Sequence, residues 1–170
     1  MRLIPLFLLM FIPTLIMAAP FETIAQNTPA IDKILIHKSA RKMYLSSGDK
    51  IAKEYDIALG FEPLGAKEEQ GDGKTPEGLY KISGRNAKSR YHKSLRVNYP
   101  AQKDLENARA KGIKDPGGDI MIHGLPNGMG AIGRAHLLKD WTLGCIAVTS
   151  DEIDEIWDLV PIGTTVEIRP

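Results

Sequence analysis

The 170-residue sequence contains a single cysteine, Cys145, which excludes an intramolecular disulfide and any cysteine-cluster metal site. It also lacks an excess of charge of either sign. Lys and Arg number 22 against 21 Asp and Glu, a formal charge of +1, so nothing in the balance calls for a nucleic-acid surface or a polybasic membrane patch. The four histidines are scattered and no His-Glu-x-x-His helix is present, so no zinc site is expected. Beyond the first twenty residues no apolar run is long enough to span a bilayer, which takes about 20 residues. Internal repeats, low-complexity tracts and linkers are absent as well. With 43% hydrophobic and 25% charged residues the chain has the composition of one folded globular domain.

What the sequence does carry begins with an address. Arg2 is followed by the uncharged run Leu3 to Met17 and then by the small residues Ala18 and Ala19. This is the pattern of a signal peptide over residues 1–18, cleaved after Ala18 or Ala19. Cleavage leaves an exported, nearly neutral protein, and no cysteine follows the run to accept a lipid anchor. Residues 19–31 read as a leader into the fold.

From there the pattern is β. Short apolar strands are expected at Ile34–His37, Lys42–Leu45, Ile51–Ala58, Leu79–Ile82 and Ser94–Tyr99. Residues 62–78 form a long polar loop. Ala101–Lys111 is helix-prone and closes at Gly112. Asp119–His123 and Cys145–Val148 read as buried strands, separated by an irregular glycine-rich stretch from Gly124 to Leu143, a length usually reserved for function. Thr149 and Glu152 form a capping-box pair ahead of Ile153, Ile156, Trp157 and Val160, which share one helical face. A strand over Thr164–Ile168 closes the chain. The fold class expected is mainly β with short helices.

The chemistry concentrates on one thiol. A lone cysteine in an exported protein is either a small buried hydrophobe or a working nucleophile. Here a strand delivers His123 into the irregular loop, and Gly144-Cys145 opens the next strand. If those strands pair, imidazole and thiol share a site, and histidine can take the proton of a thiol whose ordinary pKa lies near 8.5. Gly144 permits close approach of a carbonyl to the backbone, so the N–H groups of Cys145 and a neighbour are expected to form an oxyanion hole.

Read as a pattern, Gly73-Lys74-Thr75-Pro76-Glu77-Gly78-Leu79-Tyr80-Lys81-Ile82, then Ile122-His123-Gly124, then Gly144-Cys145-Ile146 resemble the signature blocks of L,D-transpeptidase catalytic domains of the YkuD type, in family order. The resemblance covers residues 32–169. It implies a β-sandwich fold, periplasmic location and action on peptidoglycan stem peptides, with no metal or organic cofactor. Cys145 corresponds to the family nucleophile and His123 to its general base, with Gly124 orienting that base. The implied reaction opens a stem-peptide bond on the carboxyl side of an L-centre through a thioester, which an amine then resolves. A hydrolase on the same site, in which water resolves the thioester or a wall-linked lipoprotein is released, is the alternative. A peptidoglycan-binding module with an inert thiol is a third reading, and a monomer is expected throughout.

The sequence departs from the family pattern at two places. Thr142-Leu143-Gly144-Cys145-Ile146-Ala147 keeps Thr, Gly and Cys but has Leu143 where histidine is usual and Ala147 where arginine is usual. The substrate-binding or oxyanion residues expected are therefore Thr142, Gly144 and Gly124, together with Arg134 and His136 from the preceding loop as replacements for the missing groups. Arg90, Tyr91, His92 and Arg96 are further candidates for a carboxylate contact, and Trp141 for a wall of the cleft.

Overall fold

The computed structural model describes residues 30–170. The apolar run, its cleavage position and the leader up to residue 29 lie outside the described residues. Eight strands follow in the order β1 (Lys33–His37), β2 (Lys42–Ser47), β3 (Lys50–Asp56), β4 (Gly78–Ser89), β5 (His92–Val97), β6 (Met121–His123), β7 (Ile146–Ala147) and β8 (Thr165–Arg169). Helix α1 (Gln102–Ala110) lies between β5 and β6, and α2 (Ser150–Leu159) between β7 and β8. The expected mainly-β fold is what forms, and all eight strands belong to one sheet in the spatial order β3-β2-β1-β8-β4-β5-β6-β7.

Alternation builds the core. Ile34 and Ile36 of β1, Met43 and Leu45 of β2, and Val166 and Ile168 of β8 all point inward, as a period of two requires. Helix α2 packs on β5 and β6 in the same core, and its Thr149 cap accepts the N–H of Glu152 at 3.2 Å while the Glu152 carboxylate accepts the N–H of Thr149 at 2.8 Å. Its Ile153 and Ile156 are buried, and Trp157 is partly covered by the Arg85 guanidinium 4.1 Å from its ring.

The sheet curls until its two edges meet. Beyond β3, Ala58 pairs antiparallel with Ala147 of β7 through two backbone bonds of 3.0 and 2.8 Å, and Gly60 bridges to Thr142. The β3 and β7 edges are thereby stitched together beside the thiol.

Three local expectations are corrected. Strand β4 runs to Ser89 rather than stopping at Ile82, because its second half (Ser83–Lys88) is mostly exposed and is held by backbone pairing to β5 rather than by apolar alternation. The stretch from Gly124 to Leu143 is not wholly irregular, since Gly130–Leu138 forms a tight helical segment broken at Gly133, where φ is +50°. Strand β7 is two residues long and excludes Cys145.

The polar loop 62–78 is pinned by two lysines whose side chains are only 2% exposed. Lys38 Nζ donates to the carbonyls of Gly65 and Thr75 (2.6 and 3.0 Å) and to Glu77 (2.8 Å). Lys67 Nζ donates to the Glu69 carbonyl and to Asp72, both at 2.8 Å. Each buried ammonium is thus paired and hydrogen-bonded, as its desolvation demands.

Candidate active site

Strands β6 and β7 pair in parallel, with Ile122 opposite Ile146 and His123 opposite Ala147. A parallel pair requires a crossover of a dozen or more residues, which accounts for the long segment between them. The register sets Cys145 beside Met121, two residues from His123 on the neighbouring strand, so thiol and imidazole emerge on one face. Both line a single cleft of about 530 Å³.

The imidazole of His123 is 3% exposed and tightly held. Its Nδ1–H donates to the Gly124 carbonyl at 2.7 Å, which leaves Nε2 as the acceptor nitrogen. Tyr91 lies over the ring with centroids 4.5 Å apart, and Trp141 meets it edge-on at 5.8 Å. Gly124 permits this packing, because a Cβ there would sit 2.8 Å from Ile153 Cγ2. Burial pushes the His123 pKa down; the Gly124 carbonyl opposes this and the neighbouring His136 adds to it.

The Cys145 thiol donates to the Asp119 carbonyl at 3.5 Å and accepts the Met121 N–H at 3.4 Å. Burial pushes its pKa up, and the Met121 N–H pulls the other way. His123 is not among its hydrogen-bond partners. Burial thus disfavours the charged form of both groups, and no thiol–imidazole hydrogen bond joins them on the cleft wall. Such contacts commonly tighten only when substrate is bound.

The backbone around the thiol is held by the Thr142 hydroxyl. Thr142 Oγ1 donates to the Cys145 carbonyl at 2.7 Å and accepts the N–H of Gly144 at 3.1 Å. Gly144 has φ +122°, a conformation other residues rarely adopt. Its N–H is taken by Thr142, so it is unavailable to a substrate oxygen; the N–H of Cys145 itself donates to no group among the described residues.

Two expected residues lie elsewhere. Arg134 pairs with Asp56 and, at 3.6 Å, with Glu152, on a separate depression at the start of α2, and does not line the cleft. His136 is buried at 8% exposure behind the site, its two ring nitrogens without hydrogen-bond partners. Burial pushes its pKa down, opposed by Glu152 and reinforced by Arg134. Ala147 is fully buried in the edge-joining bridge, so nothing from this position reaches the cleft.

Positive charge comes instead from the β4–β5 hairpin. Lys88, Arg90 and Arg96 line the cleft; Arg96 pairs with Asp119 at 2.9 Å, while Lys88 and Arg90 have no ion-pair partner among the described residues. Asp119, which holds both the thiol and Arg96, was not legible in the sequence. Neither was Asn127, whose Asn-Gly turn with Gly128 is its only local signal. His92 faces Asp154 on α2 at 2.9 Å, away from the thiol. Among the described residues no group of three or more His, Cys, Asp and Glu is arranged to hold a metal, and no helix is long and apolar enough to cross a membrane.

Comparison with known proteins identifies the family and the fold. Residues 31–168 match the YkuD L,D-transpeptidase catalytic domain family. The Escherichia coli K12 protein YafK, whose L,D-transpeptidase designation is provisional, is 30% identical over 138 residues, covering 79% of this chain and 48% of that protein. YqjB of Bacillus subtilis, similarly designated, is 23% identical over 153 residues, covering 89% and 80% respectively. Among solved structures, the helical cell shape determining protein Pgp2 of Campylobacter jejuni superposes with a TM-score of 0.62 at 24% identity, over 82% of this chain and 47% of that one. Mycobacterium tuberculosis L,D-transpeptidase 1 shares the fold at TM-score 0.50 and 14% identity, over 83% and 62%. The chain thus spans about half the length of YafK and of Pgp2.

Proposed function

The chain belongs to the L,D-transpeptidase catalytic domain family, and from that premise we propose that it is an exported, periplasmic cysteine acyltransferase acting on peptidoglycan stem peptides, with Cys145 as nucleophile and His123 as general base. The observation that carries this reading is the shared cleft face of the two side chains, with His123 Nδ1–H committed to Gly124 and Nε2 left free to accept.

In the proposed reaction Cys145 Sγ bonds to the carbonyl carbon of the scissile peptide as its proton passes to His123 Nε2. The free N–H of Cys145 stabilises the resulting oxyanion. Collapse breaks the C–N bond, the departing amine takes the proton from His123, and a thioester remains. An acceptor amine then attacks the thioester, yields its proton through His123, and leaves as a new amide while the thiol is restored. The unpaired Lys88 and Arg90 suit a donor peptide rich in carboxylates. Kinship with Pgp2 favours a role in wall architecture and cell shape.

The test is mass spectrometry of the purified protein lacking residues 1–18, incubated with disaccharide tri-, tetra- and pentapeptides beside Cys145→Ala. Cross-linked dimers and a peptidyl adduct that both require Cys145 are expected. Shortened monomers without dimers would replace transpeptidation with hydrolysis on the same thioester. Products unaffected by Cys145→Ala would overturn the mechanism.

A further inference from the structure

Resting on the reading of Cys145 and His123 as the reacting pair, we propose that Asn127 is a positioning residue that acts through Tyr91, clamping the tip of the β4–β5 hairpin so that the Tyr91 ring is held on the His123 imidazole.

Asn127 is exposed and lies outside the cleft, yet it bonds the hairpin tip at three points. Its Nδ2 donates to the Ser89 carbonyl at 3.1 Å, its Oδ1 accepts the His92 N–H at 2.9 Å, and its own N–H donates to the Arg90 carbonyl at 2.9 Å. These contacts enclose Tyr91, whose N–H donates to Ser89 Oγ at 3.0 Å. The tip needs such a clamp. The β4–β5 register slips between Asn86 and Ser89, and His92 sits at φ +66°, where a residue with a Cβ is strained unless its surroundings hold it.

Asn127 lies four residues beyond His123, on the loop that leaves β6. The clamp therefore ties the covering ring to the same chain segment that carries the base. Without it, the side-chain hydrogen bond left to hold the tip to the rest of the fold among the described residues is His92 on Asp154, a carboxylate shared with Lys93. Tyr91 covers one side of the imidazole and Trp141 meets it edge-on, which limits rotation of the ring. Misplacing a reacting group by about 1 Å costs roughly a hundredfold in rate.

The readout is the pH dependence of Cys145 alkylation by iodoacetamide, a chemistry that needs no peptidoglycan. The titratable neighbours are His136 behind the imidazole, Cys145 across from it and Tyr91 above it, with Lys67, Lys88, Arg90, Arg96 and Asp119 along the cleft; Asn127→Ala alters none of these groups. Asn127→Ala and Tyr91→Ala are each expected to lower the alkylation rate roughly tenfold and to move its midpoint upward, toward that of a solvated imidazole. Tyr91→Phe keeps the ring and should retain the wild-type midpoint. Asn127→Asp keeps the His92 bond, loses the Ser89 bond, and should fall between. The Asn127→Ala/Tyr91→Ala double variant should be no slower than Tyr91→Ala alone, because the clamp acts only through the ring. Additive losses, or an unchanged pH midpoint in Asn127→Ala, would overturn the proposal while leaving the Cys–His pair standing. If His123→Ala alkylates with the wild-type profile, the reacting pair itself is wrong and the clamp falls with it.

Discussion

Gly144 lies so close to Lys74 that a Cβ on the glycine would come within 2.5 Å of the lysine carbonyl oxygen. Two sequence blocks 70 positions apart therefore touch directly behind the nucleophile. The contact belongs to a wider seam, in which Gly60 faces the Gly73 carbonyl and its N–H donates to Thr75 Oγ1 at 3.1 Å. The polar loop 62–78 is the back wall of the thiol turn.

Gly144→Ala should accordingly disrupt that turn. The added methyl meets backbone rather than a yielding side chain, at a φ of +122° that already costs a non-glycine residue about 1–3 kcal/mol. A lowered urea midpoint together with loss of the peptidyl adduct is expected. Normal adduct formation would mean that the loop and the turn move apart freely.

Arg90 and Arg134 should behave oppositely toward substrate. Arg90 lines the cleft without an ion-pair partner among the described residues, whereas Arg134 is committed to Asp56 and Glu152 elsewhere. Arg90→Ala is expected to raise KM roughly tenfold, the loss of a charge-assisted contact, and Arg134→Ala to leave KM where it is. Steady-state kinetics on a defined stem peptide would read both, and the reverse pattern would place the carboxylate contact at the start of α2.

Stability should fall on mild acidification. Burial holds the pKa values of His123 and His136 below the ordinary value of about 6.5 that they regain on unfolding. The unfolded chain then binds protons that the folded chain refuses. Stability is full above about pH 6.5 and declines as pH drops toward the folded-state values. Urea midpoints at pH 7.5 and 5.5 test this above most of the carboxylate range, with a smaller decline expected in His136→Gln. An equal decline in that variant would assign the loss to other groups.

Asp72→Ala should loosen the back wall. Burial alone would push its carboxyl up, but Lys67 and the N–H groups of Glu68, Lys74 and Glu69 outweigh it and hold the carboxyl below the usual range. Removing it strands the buried Lys67 ammonium, at a cost of about 3 kcal/mol. Hydrogen exchange across residues 62–78 should rise above that of the β1–β2 pair, and a uniform rise would point to global rather than local loss.

Much of this fold is written locally. β1, β2, β8 and α2 were legible because period and capping are properties of neighbouring residues, and Ile34, Ile36, Thr149, Glu152, Ile153 and Ile156 take the places those patterns assign. The second half of β4 was not, because Ser83–Lys88 buries little and is held by its partner strand. Arg134 looked suited to the cleft from its nearness in sequence to Cys145, yet the break at Gly133 and the pull of Asp56 carry it elsewhere.

The family and the mainly-β class, and the proposal of Cys145 and His123 as the reacting pair, come from residue types at ordered blocks and from short-range periodicity, which need no knowledge of contacts. Which charges enter the cleft, which backbone groups the thiol meets and what holds the imidazole are set by the tertiary structure alone. Those depend on strand register and on the edge-to-edge closure at Ala58 and Ala147, which bring together Asp119, Tyr91, Asn127 and Lys74 from segments that no local pattern connects.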